Sequence, residues 1–530
     1  MLKQNIVLEN LSYAIGNRTL FSNISLSFGT EKTGLVGANG TGKTTLLKIL
    51  VGELMSQEGA VHVNGIIGYM PQSFVINQNQ TIAEVFGIDQ KIMALSNINA
   101  GHGLQKDFEI IGEDWLVVER AEDILHRCKL DGIDLSRRIN SLSGGQTTRV
   151  FFARLLMQQP DLLIIDEPTN NLDSESRLAL YDVIQQFNGG LLIVSHDRQL
   201  LTLMDQIVEI SSLGVKTYGG NYTDYDAQKQ VEQEALGQDI IDAQKQLRKT
   251  QKTVQLSKER YDQRVKAGNK LRRSGSELTA FLDKQKNRAE NTKSKLEQKT
   301  DKQLEAVKEK LTEAKARLEQ KDLLAFELEA TRVHNTKIVL DIKNLTFAYP
   351  EQTPILADFS MTVIGPKRIA IAGKNGSGKT TLLKLIMGQL MPTSGSITIG
   401  VQHYAYLDQA LSVLDMHQTV LENFQRLNPD VLVTDCRLRL AIFLFAHDDA
   451  LKLTSNLSGG EKMRAALACV LMGNTPPQLI LLDEPTNNMD LSSIASIEQA
   501  LQNYKGALLV VSHDALFLEN IGVEKEIALS

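Results

Sequence analysis

The chain lacks the features that mark secreted, metal-stapled or membrane-spanning proteins. Its 530 residues hold three cysteines, Cys128, Cys436 and Cys469, far apart and without metal-ligand spacing. That argues against a disulfide scaffold or a zinc module and leaves structural thiols as the expectation. No run approaches the roughly 18 apolar residues needed to span a bilayer. Met1-Leu2-Lys3-Gln4-Asn5 has no charged-then-apolar layout of a secretion signal, so the expected compartment is the cytoplasm. Proline is missing from residues 226–334, which marks that stretch as different from the rest.

What the sequence does have, it has twice. Gly37-Ala38-Asn39-Gly40-Thr41-Gly42-Lys43-Thr44 returns as Gly373-Lys374-Asn375-Gly376-Ser377-Gly378-Lys379-Thr380. Leu142-Ser143-Gly144-Gly145-Gln146 returns as Leu457-Ser458-Gly459-Gly460-Glu461, and Ser195-His196-Asp197 as Ser512-His513-Asp514. The apolar runs Leu162-Leu163-Ile164-Ile165 and Leu479-Ile480-Leu481-Leu482 lead into Asp166-Glu167 and Asp483-Glu484. Asp166 and Asp483 are 317 residues apart, as are His196 and His513, whereas Lys43 and Lys379 are 336 apart. The first copy is therefore longer between Gln72 and Ser143, where a small insertion or a longer helical subdomain would both fit.

A length of 530 residues suits two domains plus a third element. We expect domains at 1–225 and 335–530, with a linker at 226–334. In the linker Ile240, Leu247, Val254 and Tyr261 recur every seven residues, and Leu304, Val307, Leu311, Ala314 and Leu318 step by three and four. Such seams belong to helices that pack on a partner helix. Between them Ala267-Gly268-Asn269 and Arg272-Arg273-Ser274-Gly275-Ser276 read as a break, which predicts an antiparallel hairpin. Arms of about 40 residues would reach on the order of 60 Å.

Charge separates the parts. The linker holds 25 Lys and Arg against 19 Asp and Glu, while the whole chain carries −6. The excess gathers around the predicted turn, at Arg264, Lys266, Lys270, Arg272, Arg273, Lys284, Lys286 and Arg288. Lysine-rich helical faces are often merely solvated, but an excess concentrated at one end suits a polyanion.

The repeated motifs have a common chemistry. Glycines at Gly37, Gly40, Gly42, Gly373, Gly376 and Gly378 let backbone N–H groups converge on phosphate oxygens, at the start of a helix whose positive end adds to the anion site. Asn39 and Asn375 sit within these loops. Lys43 and Lys379 would reach the β- and γ-phosphates, and Thr44 and Thr380, with Thr45 and Thr381 beside them, would face Mg²⁺. Asp166 and Asp483 end buried strands where they could hold that metal. Glu167 and Glu484, one residue farther, could orient and deprotonate an attacking water. His196 and His513 arrive at the same sheet edge, placed to hold the γ-phosphate. Ser143 and Ser458 are good helix N-caps, and Gly144, Gly145, Gly459 and Gly460 leave N–H groups for a further anion. Since each copy already has a complete phosphate loop, that spare site is most useful to nucleotide held by the other copy.

This set resembles the ATP-binding cassette superfamily, whose cassettes close head to tail around two ATPs. The resemblance implies an α/β fold with two P-loop NTPase domains and an intramolecular cassette dimer in a monomeric chain. It pairs the first loop with Ser458, Gly459 and Gly460 and the second with Ser143, Gly144 and Gly145. Gln72 and Gln409 follow short strands as the superfamily's metal-contacting glutamine does, and Asn171-Leu172-Asp173 and Asn488-Met489-Asp490 resemble its D-loop. Tyr349 suits the aromatic that stacks on adenine, whereas the aligned residue of the first copy is Ile15, so that there either Tyr13 or an aliphatic surface would have to serve.

Two cassettes in one chain, joined by a long charged helical linker, are similar to the ABC-F family, and the likeness covers nearly the whole chain. Tyr218 to Tyr225 also looks like that family's exit from its first cassette. The resemblance implies an ATPase using ATP and Mg²⁺. Its partners would be the ribosome, at large-subunit rRNA near the tRNA exit site, and peptidyl-tRNA. The linker tip would neutralise phosphates without reading bases. Two other classes use related cassettes: the energy module of a membrane transporter, which needs no projecting linker, and a DNA-directed ATPase, for which no zinc-ligand or DNA-reading motif is present. The D-loops carry Asn171 and Asn488 where family members often have His, and after His513 the sequence ends at Ser530, so the C-terminal extension of some members is not expected.

Overall fold

The protein is described by a computed structural model covering residues 5–16, 18–73, 77–170, 172–211, 213–273, 305, 331–350 and 353–529. It divides into two compact units, one formed by residues 1–225 with 322–530 and the other by 226–321.

In the first unit each copy of the repeat builds the same layers. A sheet of parallel strands in the order Ile67–Met70, Leu162–Asp166, Gly190–Val194, Lys32–Val36, Gln206–Ser211 forms the first, closed by the antiparallel Gly214–Gly219. The second has Tyr404–Leu407, Leu479–Asp483, Ala507–Val511, Arg368–Ala372, Lys525–Ala528, all parallel. Leu162–Asp166, Gly190–Val194, Leu479–Asp483 and Ala507–Val511 are buried along their whole length, as sheets covered on both faces require. A three-stranded antiparallel sheet packs beside each: Arg18–Phe28, Ile6–Ile15 and Glu58–Val63 in one, Leu356–Ile364, Ile338–Phe347 and Ser394–Ile399 in the other.

The helix after each phosphate loop, Lys43–Leu50 or Lys379–Ile386, is the core between the two sheets. Leu46, Leu47 and Leu50 are buried against Ile6, Leu11, Phe21 and Ile164. Burying a leucine of this kind stabilises the fold by about 1.5–3 kcal/mol. This places the loop against the C-terminal edge of the parallel strands, where ligands bind in open α/β sheets.

The extra length of the first copy is helical. After the capping box Thr81/Glu84, the counterpart of Thr419/Glu422, it has helices Asp89–Asn99 and Gln105–Ile111 before Val117–Arg127. In the second copy Val420–Leu427 is followed directly by Val433–Ile442. Cys128, Cys436 and Cys469 are buried free thiols. No helix among the described residues is long and apolar enough to cross a membrane.

The second unit departs from the sequence reading in one respect. Helix Tyr222–Arg273 runs for 52 residues, straight through Ala267-Gly268-Asn269. One internal glycine costs a helix only about 1 kcal/mol, which flanking helix formers offset, so the break does not fall at the first of the two expected segments, and Ser274-Gly275-Ser276 of the second lies outside the described residues. Ile240, Ala243, Leu247 and Val254 are half-buried along one stripe. The second predicted seam, Leu304 to Leu318, lies outside the described residues apart from residue 305. Thr331 and Val333 are buried, Val333 in the second copy's core, and Thr331 Oγ1 accepts a hydrogen bond from Lys505 N at 3.0 Å. Packing of that domain therefore begins ahead of residue 335.

Candidate functional site

Register brings the chemistry to one edge. Asp166 pairs with Val194, and Val194 with Leu35, so Glu167, His196 and the loop at 37–42 leave neighbouring strands at one level. Asp483, Val511 and Ile371 do the same in the second copy. His196 Nε2 stands 3.4 Å from Glu167 Oε1, and His513 Nε2 3.4 Å from Glu484 Oε1. Glu167 and Glu484 both adopt φ +50, a left-handed conformation rare for a glutamate. Their N–H groups donate to Val194 and Val511 O at 2.8 Å, which holds the bend. Backbone strain at such a position is a mark of functional sites that composition does not reveal.

In the first copy these residues line a cavity of about 380 Å³ with Asn39, Gly40, Gly42, Lys43, Thr44, Thr45, Gln72 and Asp166. Gly42 caps the helix at φ +95 and Gly378 at φ +92, where a side chain would be disfavoured. Gly37 is packed behind the loop, with Ile210 O 2.3 Å from where its Cβ would stand, and Gly373 is similarly close to Leu529 O. Lys43 Nζ donates to Gly37 O at 2.7 Å and Ala38 O at 3.1 Å, and Lys379 Nζ to Gly373 O at 2.7 Å and Lys374 O at 3.0 Å. The loops thus wrap their lysines.

Thr44 Oγ1 donates to Asp166 Oδ2 at 2.8 Å, while buried Asp166 Oδ1 has no hydrogen-bond partner among the described residues. A hydroxyl beside a spare carboxylate oxygen is a donor set that fits Mg²⁺. In the second copy Thr380 lies beside Asp483, whose Oδ2 also accepts from Tyr406 OH at 3.3 Å; Gln409 is exposed beyond that strand. Tyr349 OH meets Thr381 Oγ1 at 3.3 Å, and the Phe347 ring meets the Tyr349 ring edge-on at 5.0 Å.

Burial sets the electrostatics. It pushes the Glu167 carboxyl up to about 8 against the pull of Lys43. Glu484 rises to about 7, with Arg177 and Lys379 pulling it back. Burial drives His196 down to about 3, Lys43 adding to it, and His513 down to about 4, with Lys379 and Arg177 adding. Asp166 and Asp483 are raised, and Lys43 and Lys379 lowered, by the same loss of water. Groups so perturbed in one cleft are suited to proton transfer.

The two copies face each other head to tail. Asn39 N donates to Asp490 Oδ2 at 2.9 Å and Asn39 Nδ2 to Asn488 O at 3.1 Å. Reciprocally, Asn375 N donates to Asp173 Oδ2 at 3.3 Å. Ser174 Oγ meets His513 Nδ1 at 3.0 Å. Arg198 bonds Glu498 and Asp514.

The residue that the second copy contributes to the first cavity is Asn488, and Ser458, Gly459 and Gly460 stand outside its lining. The serine hydroxyls are used within their own copies. Ser143 Oγ accepts from Gln146 N at 3.2 Å and Ser458 Oγ from Glu461 N at 3.3 Å, and Ser143 N and Ser458 N donate back to those side chains. Gly145 and Gly460 lie against Ser176 and Ser493, and Gly144 opens the helix Gly144–Met157. Asn488 O, 3.4 Å from a Cβ on Gly459, connects this motif to the opposite loop. Asn171 lies outside the described residues. Arg198, Ser174 and Arg177 were not singled out in the sequence. The contrast of Ser-His-Asp-Arg with Ser-His-Asp-Ala was the available signal for Arg198.

The ABC transporter family matches residues 21–170 and 356–487. The putative ATP-binding protein YdiF of Bacillus subtilis is 33% identical over 97% of this chain and 78% of its own length. The chain belongs to the ABC-F family. Its two cassettes are ATP-binding ATPase domains. Another relative, the ATP-binding protein Uup of Haemophilus influenzae, is 30% identical over 92% of this ABC-F chain and 73% of its own. Among solved structures the fold matches the archaeal ribosome recycling factor aABCE1, solved with the ribosomal stalk protein aP1. The TM-score is 0.53 at 19% identity, over 98% of this chain and 87% of that one. RNase-L Inhibitor matches at 0.52 and 20%, over 98% and 86%.

Proposed function

We propose that this ABC-F protein is a two-site clamp closed by ATP and reopened by hydrolysis, and that its closed form binds the ribosome. The observation that carries this reading is the reciprocal pair Asn39–Asp490 and Asn375–Asp173, by which each phosphate loop touches the other cassette. Nucleotide in either loop then bears on both halves, and ATP shifts the population toward the closed form by binding it more tightly.

Within each site the loop N–H groups and Lys43 or Lys379 bind the phosphates. Glu167 or Glu484 takes a proton from the attacking water, and neutral His196 or His513 holds the γ-phosphate. Mg²⁺, held by Thr44, Asp166 and Gln72 or by Thr380, Asp483 and Gln409, would offset phosphate charge when bound. Ser143 to Gly145 and Ser458 to Gly460 complete the opposite sites on closure.

The basic linker gives the clamp its target, large-subunit rRNA near the tRNA exit site and peptidyl-tRNA, in the cytoplasm. Lys266 is exposed. Lys284, Lys286 and Arg288 lie outside the described residues, as do the side chains of Arg264, Lys270, Arg272 and Arg273. The fold shared with a ribosome recycling factor supports the same target. The test is Glu167→Gln with Glu484→Gln. The double variant should bind ATP, lose turnover by about 10²–10⁴-fold and co-sediment with ribosomes under ATP. No enrichment over the unsubstituted chain would sink the ribosome reading.

A further inference from the structure

The two ATP sites hold the phosphates with matching groups but differ where a base would lie. Tyr349 of the second cassette has its counterpart in Ile15, whose side chain is 59% exposed. Ile15 and Arg18 are direct cross-strand partners at the tip of the hairpin formed by Ile6–Ile15 and Arg18–Phe28. Directly opposed residues on antiparallel strands share a face. Both line the first cavity together with Lys43 and Thr44. Arg18 is tied to the loop there, its Nη2 donating to Gly40 O at 3.2 Å. The hairpin tip therefore presents one apolar and one planar cationic side chain beside the phosphate loop.

We propose that Arg18 holds the base of a purine nucleoside triphosphate in the first site, its guanidinium plane taking the role of the missing aromatic, with Ile15 as the adjoining apolar wall. This rests on reading the loop at 37–44 as a phosphate site. A guanidinium offers a flat, weakly hydrated face on which a π-system stacks. Stacking favours purines over pyrimidines through their larger face. The hydrogen bond to Gly40 O sets the height of that plane relative to the loop. In the second cassette Tyr349 is instead braced by Phe347 and Thr381.

The test uses the full chain carrying Lys379→Ala, so that binding reports the first site, and compares ATP, CTP and inorganic tripolyphosphate. Arg18→Ala should weaken ATP about 10-fold, change tripolyphosphate less than twofold and narrow the ATP/CTP preference. Ile15→Tyr added to Arg18→Ala should restore ATP affinity. Equal losses for ATP and tripolyphosphate would mean that Arg18 only shapes the loop through Gly40, which overturns the proposal, as would no loss at all. If tripolyphosphate fails to bind with Arg18 intact, the phosphate-site reading itself fails.

Discussion

Arg198 of the first cassette donates from Nη2 to Glu498 Oε1 of the second at 2.7 Å, and the same atom lies 3.1 Å from Asp514 Oδ2. Arg198 is 7% exposed and Glu498 9%. The contact has no twin, because Ala515 follows Ser512-His513-Asp514 where Arg198 follows Ser195-His196-Asp197. A buried ion pair thus pins the interface on the side of Arg198, two residues from His196, while at the second loop the pair across it, Lys374–Glu175, is exposed.

Removing one partner of a buried ion pair costs about 3–5 kcal/mol, because the other charge is left unpaired. Arg198→Ala should therefore lower the melting temperature and demand at least about 10-fold more ATP for closure, read by energy transfer between labels on the two cassettes. Arg198→Met combined with Glu498→Gln and Asp514→Asn should recover most of the loss. Closure by Arg198→Ala at unchanged ATP would remove this contact from the account.

A methyl group on Gly145 would stand 2.0 Å from Ser176 Oγ. Overpacking of this kind costs about 1–3 kcal/mol, so Gly145→Ala should lower thermal stability and ATP hydrolysis together. Ser176→Gly in the same chain should restore both, since it removes the colliding atoms. A deficit that persists in the double variant would mean the Gly145 N–H region, not the crowding, is at fault.

His513 is buried and held neutral down to about pH 4, well below its unfolded value of about 6.5. Its folded pKa is depressed, so below pH 6.5 the unfolded chain binds the extra proton. The stability difference between the unsubstituted chain and His513→Gln should be flat above pH 6.5. Between pH 6.5 and 4 it should then fall by on the order of 1.4 kcal/mol per unit. Denaturant titrations across that range measure it. A difference that stays constant would show a charged His513 in the folded state.

Lys270→Glu, Arg272→Glu and Arg273→Glu together should weaken ribosome binding and flatten its salt dependence by a log–log slope of about 2–3. ATP hydrolysis without ribosomes should stay within about twofold. Parallel collapse of that basal rate would instead assign these residues to the fold.

The loops, the strand-end carboxylates and the histidines were legible because each depends on residue types at fixed spacing along one strand–turn–helix unit. Gly42, Lys43 and Thr44 must follow one another for the loop to close on an anion, and Leu162 to Ile165 must be apolar to lie buried within the sheet. The continuation of the helix through Gly268 was not legible, because a local breaker signal of about 1 kcal/mol competes with 52 residues of cooperative helix. The φ +50 of Glu167 was hidden for a related reason: it is imposed by the Val194 carbonyl on a neighbouring strand.

The sequence by itself determined that there are two phosphate-binding cassettes and a basic linker between them, since periodicity and motif order are properties of the chain. Only the tertiary structure decided what the residues that differ between the two halves meet. Arg198 finds Glu498 300 residues away, Ser174 finds His513, and Arg18 stands beside Ile15 over the first loop. Such contacts form between faces that folding brings together, and their energies depend on burial and distance, neither of which is written in the order of the residues.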